Sequence, residues 1–63
     1  MTKKEFVVWL KKNTVIDTSD KKLVGRIWLG IMARQLNHMS TERFDKYVGD
    51  RVRAGEDLKI TLY

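Results

Sequence analysis

Apolar residues recur along this chain in three stretches with helical spacing and in one stretch that alternates. One face of the first stretch carries the apolar residues Phe6, Trp9 and Leu10. This spacing predicts a helix over Lys3–Lys12. Thr2 and Glu5 stand three residues apart, as in a capping box, where each side chain bonds the backbone amide of the other residue. The first helix is therefore expected to start directly after Thr2.

The second stretch is the longest, and its apolar positions spread far around the helix. Thr18, Ser19 and Asp20 are all good N-cap residues, and the pattern continues to about Asn37 or His38. The apolar positions are Leu23, Val24, Ile27, Trp28, Leu29, Ile31, Met32, Leu36 and Met39. Without Leu29 they cover about 200° of the circumference, and Leu29 widens this arc further, whereas an ordinary surface helix has a stripe of about 100°. We expect a central helix that is contacted on two sides, with a second molecule able to supply one of them.

The third stretch predicts another helix. Ser40 or Thr41 opens it as an N-cap residue, and Gly55 is placed as a C-cap glycine. The positions that follow the helical period are Phe44, Tyr47, Val48, Arg51 and Val52.

The last six residues, 58–63, alternate strictly between apolar and polar side chains. Leu58, Ile60 and Leu62 fall on one side of an extended chain, which is typical of a half-buried strand. A strand needs a partner, and two are open: residues 14–16 of the same chain, or the same strand of a second copy across a two-fold axis. The wide apolar helix and the unpaired strand together predict a homodimer.

Composition limits the fold and the cellular setting. With 63 residues, of which 43% are hydrophobic and 33% charged, we expect a single domain over residues 1–63. The fold class predicted is mainly α, a small three-helix domain with a short C-terminal β-strand that could pair across a homodimer. The chain has no cysteine, so disulfides and thiolate zinc sites are excluded and the cytoplasm is favoured. The longest apolar run, Ile27–Ala33, is far shorter than the ~20 residues of a membrane span.

The charge of the chain is positive and uneven. Thirteen Lys and Arg against eight Asp and Glu give +5, and residues 1–26 hold seven of the basic side chains against three acidic ones. The polar strip left on the second helix contains no acidic residue. If these cations converge on one surface, they could hold the phosphates of a nucleic acid without reading its bases. The residues predicted to bind nucleic acid are Lys4, Lys11, Lys12, Lys21, Lys22, Arg26 and Arg34, and Lys3 belongs to the same basic set.

The residues with chemical reactivity are too few to predict an enzyme. His38 is the only histidine, so a site of several histidines within one chain is excluded. A set of Ser40, His38 and Asp45 can be written down, but Ser40 is better explained as a helix cap. No phosphate-binding glycine motif occurs. We therefore expect no enzyme activity, no cofactor and no metal.

The favoured function is a small cytoplasmic, nucleic-acid-associated regulator of bacterial or phage type. The alternative is a module or inhibitor that binds a larger protein through exposed aromatic residues, with Trp9, Trp28, Tyr47 and Tyr63 as candidates. A helix-turn-helix can also be laid over Ala33, Leu36, Met39, Phe44 and Tyr47. A third alternative places the first helix on an anionic membrane with Phe6 and Trp9 inserted.

The N-terminal residues resemble one known family. The run Thr2–Phe6, together with Leu10–Lys12 and Ile16–Thr18, resembles the start of the Hha/YmoA family of small helical proteins. That resemblance implies a partner among nucleoid-structuring DNA-binding proteins. To align the next segment, a whole helix of the family must be deleted, and the family has no counterpart to the predicted strand. No functional residue is transferred, and the chain is assigned to no family.

Overall fold

The computed structural model describes residues 1–56, 60, 62 and 63, and it is mainly helical. The described residues form three α-helices, α1 (Lys3–Asn13), α2 (Lys21–Ala33) and α3 (Thr41–Arg53). A short 3₁₀ turn, Leu36–His38, lies between α2 and α3. The three predicted helices are therefore present, in the predicted order.

The start of α1 has the predicted capping box. The Thr2 amide donates a hydrogen bond of 2.9 Å to the Glu5 carboxylate, and the Glu5 amide donates one of 3.2 Å to the Thr2 hydroxyl. Two of the amides that a helix start leaves without partners are satisfied in this way.

The start of α2 agrees with the prediction, but its end does not. Asp20 is the N-cap and accepts a hydrogen bond of 3.1 Å from the amide of Leu23. The helix stops at Ala33 rather than near Asn37 or His38, because Gln35 has a left-handed backbone with φ of 60°. This turn carries Leu36 back onto the core, where it is 7% exposed. The apolar spacing continues through the turn, but the helix does not.

Both ends of α3 lie where the sequence predicts them. Ser40 is the N-cap, and its hydroxyl accepts a hydrogen bond of 3.2 Å from the amide of Arg43. At the other end Gly55 has φ of +84°, and its amide donates to the carbonyl of Val52. The next amide, that of Glu56, reaches back to the carbonyl of Arg51, which completes a Schellman motif.

Aromatic rings from all three helices meet in the core. Phe6 of α1 and Phe44 of α3 are both fully buried, and their rings meet edge to face with centroids 5.8 Å apart. Trp28 of α2 lies 5.5 Å from Phe6, and Trp9 of α1 lies 5.0 Å from Phe44. The remaining buried hydrophobic residues are Leu10, Val24, Ile31, Leu36 and Val48.

The end of the chain returns to the end of α1. Leu62 forms an antiparallel bridge with Thr14, and the amide of Tyr63 donates to the carbonyl of Asn13 over 3.1 Å. Thr14, 1% exposed, uses its hydroxyl to bond the carbonyl of Leu10. The observed pairing is thus with the same chain, one of the two partners considered. No strand occurs among the described residues, and residues 58, 59 and 61 of the predicted strand lie outside them.

The apolar arc of α2 is wider than the face that this chain buries. Val24 and Ile31 are buried, but Leu29 remains 66% exposed and Met32 46% exposed. One side of α2 therefore packs on the core as expected. The second contact predicted for α2, and with it the homodimer, stays a prediction.

The capping box predicts a dependence of stability on pH. The pKa of the Glu5 carboxyl lies below its ordinary value of 4.5, mainly because the Thr2 amide bonds its charged form. Because this pKa is lower in the folded chain than in the unfolded chain, the ionised Glu5 carboxylate stabilises the fold above pH 4.5. This stabilisation is lost as the pH falls through the lowered pKa. Glu5→Gln should therefore lower the melting temperature at neutral pH and change it little near pH 2.5. Thermal unfolding by circular dichroism checks this, and a difference that stays constant with pH would contradict it.

Two glycines should respond in opposite directions to alanine. A Cβ at Gly25, inside α2, would meet nothing within 4 Å, so Gly25→Ala should stabilise the fold by about 1 kcal/mol. Gly55 has a left-handed backbone, so Gly55→Ala should destabilise it by about 1–2 kcal/mol. Urea unfolding of both variants measures the two changes. If both variants stabilised the fold, the left-handed backbone of Gly55 would be contradicted, and if both destabilised it, the open space at Gly25 would be contradicted.

Candidate functional site

All seven cations predicted to bind nucleic acid are exposed. They are Lys4, Lys11, Lys12, Lys21, Lys22, Arg26 and Arg34. Within the described residues two ion pairs form, both at the end of α3: Arg51 with Glu56 at 3.4 Å and Arg53 with Asp50 at 3.7 Å. None of the seven takes part in either pair. Their charges are therefore available to an anionic ligand as far as the described residues are concerned.

A groove between α1 and α2 brings two lysines together. Its volume is about 290 Å³, and we call it the lysine groove; its lining residues are Lys3, Val7, Thr18, Lys21 and Val24. The two lysines stand on opposite banks, one on each helix. The described lining contains no acidic side chain. Lys3 belongs to the N-terminal basic set but not to the residues predicted to bind nucleic acid. Its position across the groove from Lys21 depends on how α1 and α2 pack, which the sequence does not show.

Three further lysines flank the lysine groove. At 100° per residue, Lys4 and Lys11 fall within about 60° of Val7 on α1, on the side away from the buried face. Lys22 follows Lys21 on α2 and is exposed. Helical geometry therefore extends the positive surface outward along both banks of the groove.

Lys12 lies elsewhere, in a larger cleft on the α3 side of α1. This cleft has a volume of about 540 Å³, and its charged lining residues are Lys12, Asp45, Lys46, Asp50 and Arg53. Charges of both signs alternate there, so the local field on an anion is weaker than in the lysine groove. The structure separates Lys12 from the other lysines of α1.

Arg26 and Arg34 lie at a third place, a small cavity between α2 and α3. We call it the arginine cavity; its volume is about 150 Å³ and its lining residues are Arg26, Ile27, Gly30, Ile31, Arg34, Leu36, Phe44, Val48 and Ile60. The seven predicted residues are thus divided among three places rather than gathered on one surface. The sequence places cations along helices, but the tertiary packing decides which of them share a cavity.

The aromatic residues suggested for binding are mostly part of the core. Trp9 is 4% exposed, and its indole N–H donates a hydrogen bond of 2.9 Å to Asp45. Phe6 is fully buried. The suggestions that Trp9 is an exposed anchor and that Phe6 and Trp9 insert into a membrane are therefore wrong, because both rings fill the core. Tyr63 is 82% exposed and Tyr47 lies under the guanidinium of Arg51, 5.0 Å from the ring centroid.

The residues considered for catalysis have other roles. The Ser40 hydroxyl caps α3, as the sequence indicated, and Asp45 accepts the indole N–H of Trp9. His38 is exposed at the end of the 3₁₀ turn. Residues 1–56, 60, 62 and 63 contain no cluster of three His, Asp or Glu side chains that could hold a metal ion.

The connection between α2 and α3 does not match a helix-turn-helix. That motif joins its helices by a turn of three or four residues. Here residues 34–40 separate the helices and include a 3₁₀ turn. Two arginines of α3 already have partners within the chain. Arg51 lies over the ring of Tyr47 and pairs with Glu56, and Arg53 pairs with Asp50. Helix α3 is a poor candidate for a recognition helix.

Comparison of the chain with family models, curated proteins and solved structures gave no match. Among the described residues, no helix has both the length and the apolar character that a membrane span requires.

Proposed function

We propose that this protein binds the phosphate backbone of nucleic acid through the lysine groove and the lysines on its banks. The surface consists of Lys3, Lys4, Lys11, Lys21 and Lys22. The observation that carries the proposal is the meeting of lysines from two helices across one groove without an acidic residue in its described lining. Such a protein would serve as a small cytoplasmic regulator that associates with nucleic acid, of bacterial or phage type.

The chemistry of these side chains favours phosphate over base recognition. A lysine ammonium is a compact point charge on a flexible stem, and it pairs with phosphate oxygens in many orientations. Reading of base edges depends more on the planar groups of Arg, Asn and Gln, which the lysine groove lacks in its described lining. The proposal therefore includes weak sequence preference and strong salt dependence.

Binding to a short DNA duplex should weaken steeply with salt. Each lysine–phosphate contact makes the slope of log affinity against log salt concentration more negative by about 0.9, so four or five contacts give a slope near −4. Lys3→Gln combined with Lys21→Gln should reduce the slope by about two and the affinity at low salt by at least tenfold. Fluorescence anisotropy with labelled DNA at about 50 and 200 mM salt measures both quantities.

The control for net charge is Lys46→Gln combined with Arg53→Gln. This pair of substitutions removes the same net charge from the larger cleft that contains Lys12. It should lower the DNA affinity much less than the Lys3 and Lys21 substitutions do. If both double variants weaken binding equally, net charge rather than the groove is responsible. If the native protein does not bind DNA at low salt, the proposal is wrong and a larger protein remains the partner to seek.

The homodimer predicted from the sequence is tested separately. Leu29 is 66% exposed on α2, and two copies that bury it would shield apolar surface from water. Sedimentation equilibrium should give twice the 7.4 kDa of one chain, and Leu29→Lys should shift the mass toward the monomer. If the native protein has the mass of one chain at every concentration measured, the homodimer prediction is wrong.

A further inference from the structure

The arginine cavity between α2 and α3 has an apolar floor that is already formed. Its floor is made of Phe44, Val48, Ile31 and Leu36, all of which are at most 7% exposed. Side chains this well buried are held by the core. The floor would therefore not need to rearrange to receive a ligand.

The rim of the arginine cavity is positive. Arg26 and Arg34 both line it and are both exposed, and the described lining has no acidic side chain. Neither arginine is in an ion pair among the described residues. An occupant that carries negative charge beside an apolar group would match both the floor and the rim.

Gly30 stands between these arginines in the sequence and lines the same cavity. A glycine inside a helix costs about 1 kcal/mol relative to alanine. Nothing in the described structure requires one here, since a Cβ at position 30 would meet no atom within 4 Å. The missing side chain leaves open space on the part of α2 between Arg26 and Arg34, where Gly30 lines the cavity.

The size of the arginine cavity limits what it can hold. Its volume of about 150 Å³ is below the roughly 300–1,000 Å³ of ordinary cofactor and small-molecule sites. An apolar cavity of about this volume can hold a group the size of benzene. One aromatic or branched apolar side chain fits this limit.

We propose that the arginine cavity receives one apolar side chain of an acidic protein segment, whose carboxylates on either side pair with Arg26 and Arg34. Eight positions at about 1.5 Å each place the two arginines about 12 Å apart along the axis of α2. An extended segment rises about 3.3 Å per residue, so acidic residues four positions apart are separated by about 13 Å, close to the distance between the arginines. The expected pattern is an acidic residue, a spacer, an apolar anchor, a spacer and an acidic residue. This inference does not depend on the lysine groove.

The probe is the capped peptide Glu-Ala-Phe-Ala-Glu, titrated into the full chain labelled with ¹⁵N. Saturable shifts are expected at the amides of Gly30 and Ile31. Two control peptides, one with Ala in place of Phe and one with Lys in place of both Glu, should bind at least about tenfold more weakly. No saturable shift, or equal binding of the Lys peptide, would overturn the proposal.

Variants of the chain identify the site. Gly30→Leu should close the mouth of the cavity and weaken the peptide by at least about tenfold, while Gly25→Leu is the matched control on the same helix and should leave it unchanged. Arg26→Gln and Arg34→Gln should each weaken it about two- to fivefold. These two exposed positions also test the site if Gly30→Leu does not fold. Arginine variants that bind as the native chain does would count against the proposal.

The last comparison separates this site from the proposed nucleic-acid surface. Lys3→Gln with Lys21→Gln should leave peptide binding within about twofold of the native value at physiological salt, because the charges removed are outside the site and screened. Peptide shifts centred on Lys3 and Lys21 would overturn the proposal. The same holds if duplex DNA, and not the peptide, produces the shifts at Gly30 and Ile31.

Discussion

The rings of Phe6 and Phe44 meet edge to face at the centre of the molecule, and each is fully buried. Because they come from the first and last helices, this contact fixes how α1 and α3 lie together, and Trp28 brings α2 against the same Phe6 ring. A chain of this length buries little surface in total, so a few large rings supply much of its apolar burial. The lysine groove and the arginine cavity lie between helices that this packing brings side by side.

Local interactions are the part of the fold that the sequence predicts well. The capping box of Thr2 and Glu5, the cap at Ser40 and the C-cap at Gly55 each involve residues a few positions apart, so their chemistry is visible without tertiary structure. The turn at Gln35 is not marked by a glycine or proline. The left-handed backbone of Gln35 is stabilised by the burial of Leu36 in the core. The free energy of that burial depends on residues distant in the sequence, so the turn is not visible locally.

The candidate site shows the same division. Exposure of the seven cations follows from their positions on amphipathic helices, and the structure confirms it. Their grouping does not follow, because it depends on which element each helix face meets: Lys12 of α1 lies in the cleft toward α3, whereas Lys21 of α2 lines the lysine groove. For Trp9 the sequence is compatible with a core role and with a surface role, and the structure shows the core role. A small domain has few large side chains with which to fill its core, so an aromatic residue such as Trp9 is buried rather than exposed for binding.

The bridge between Thr14 and Leu62 gives the end of the chain a part in the arginine cavity. Two residues before Leu62, Ile60 forms part of the wall of that cavity, while the bridge holds the chain against the end of α1. Ile60 is part of this wall in the docked arrangement, in which Leu62 and Tyr63 are bonded to the end of α1. By mass action, anything that occupies the cavity and touches Ile60 would also favour the docked arrangement. Conversely, removal of residues 60–63 would take away the part of the wall that Ile60 forms. The residues that form the floor of the cavity would remain unaltered.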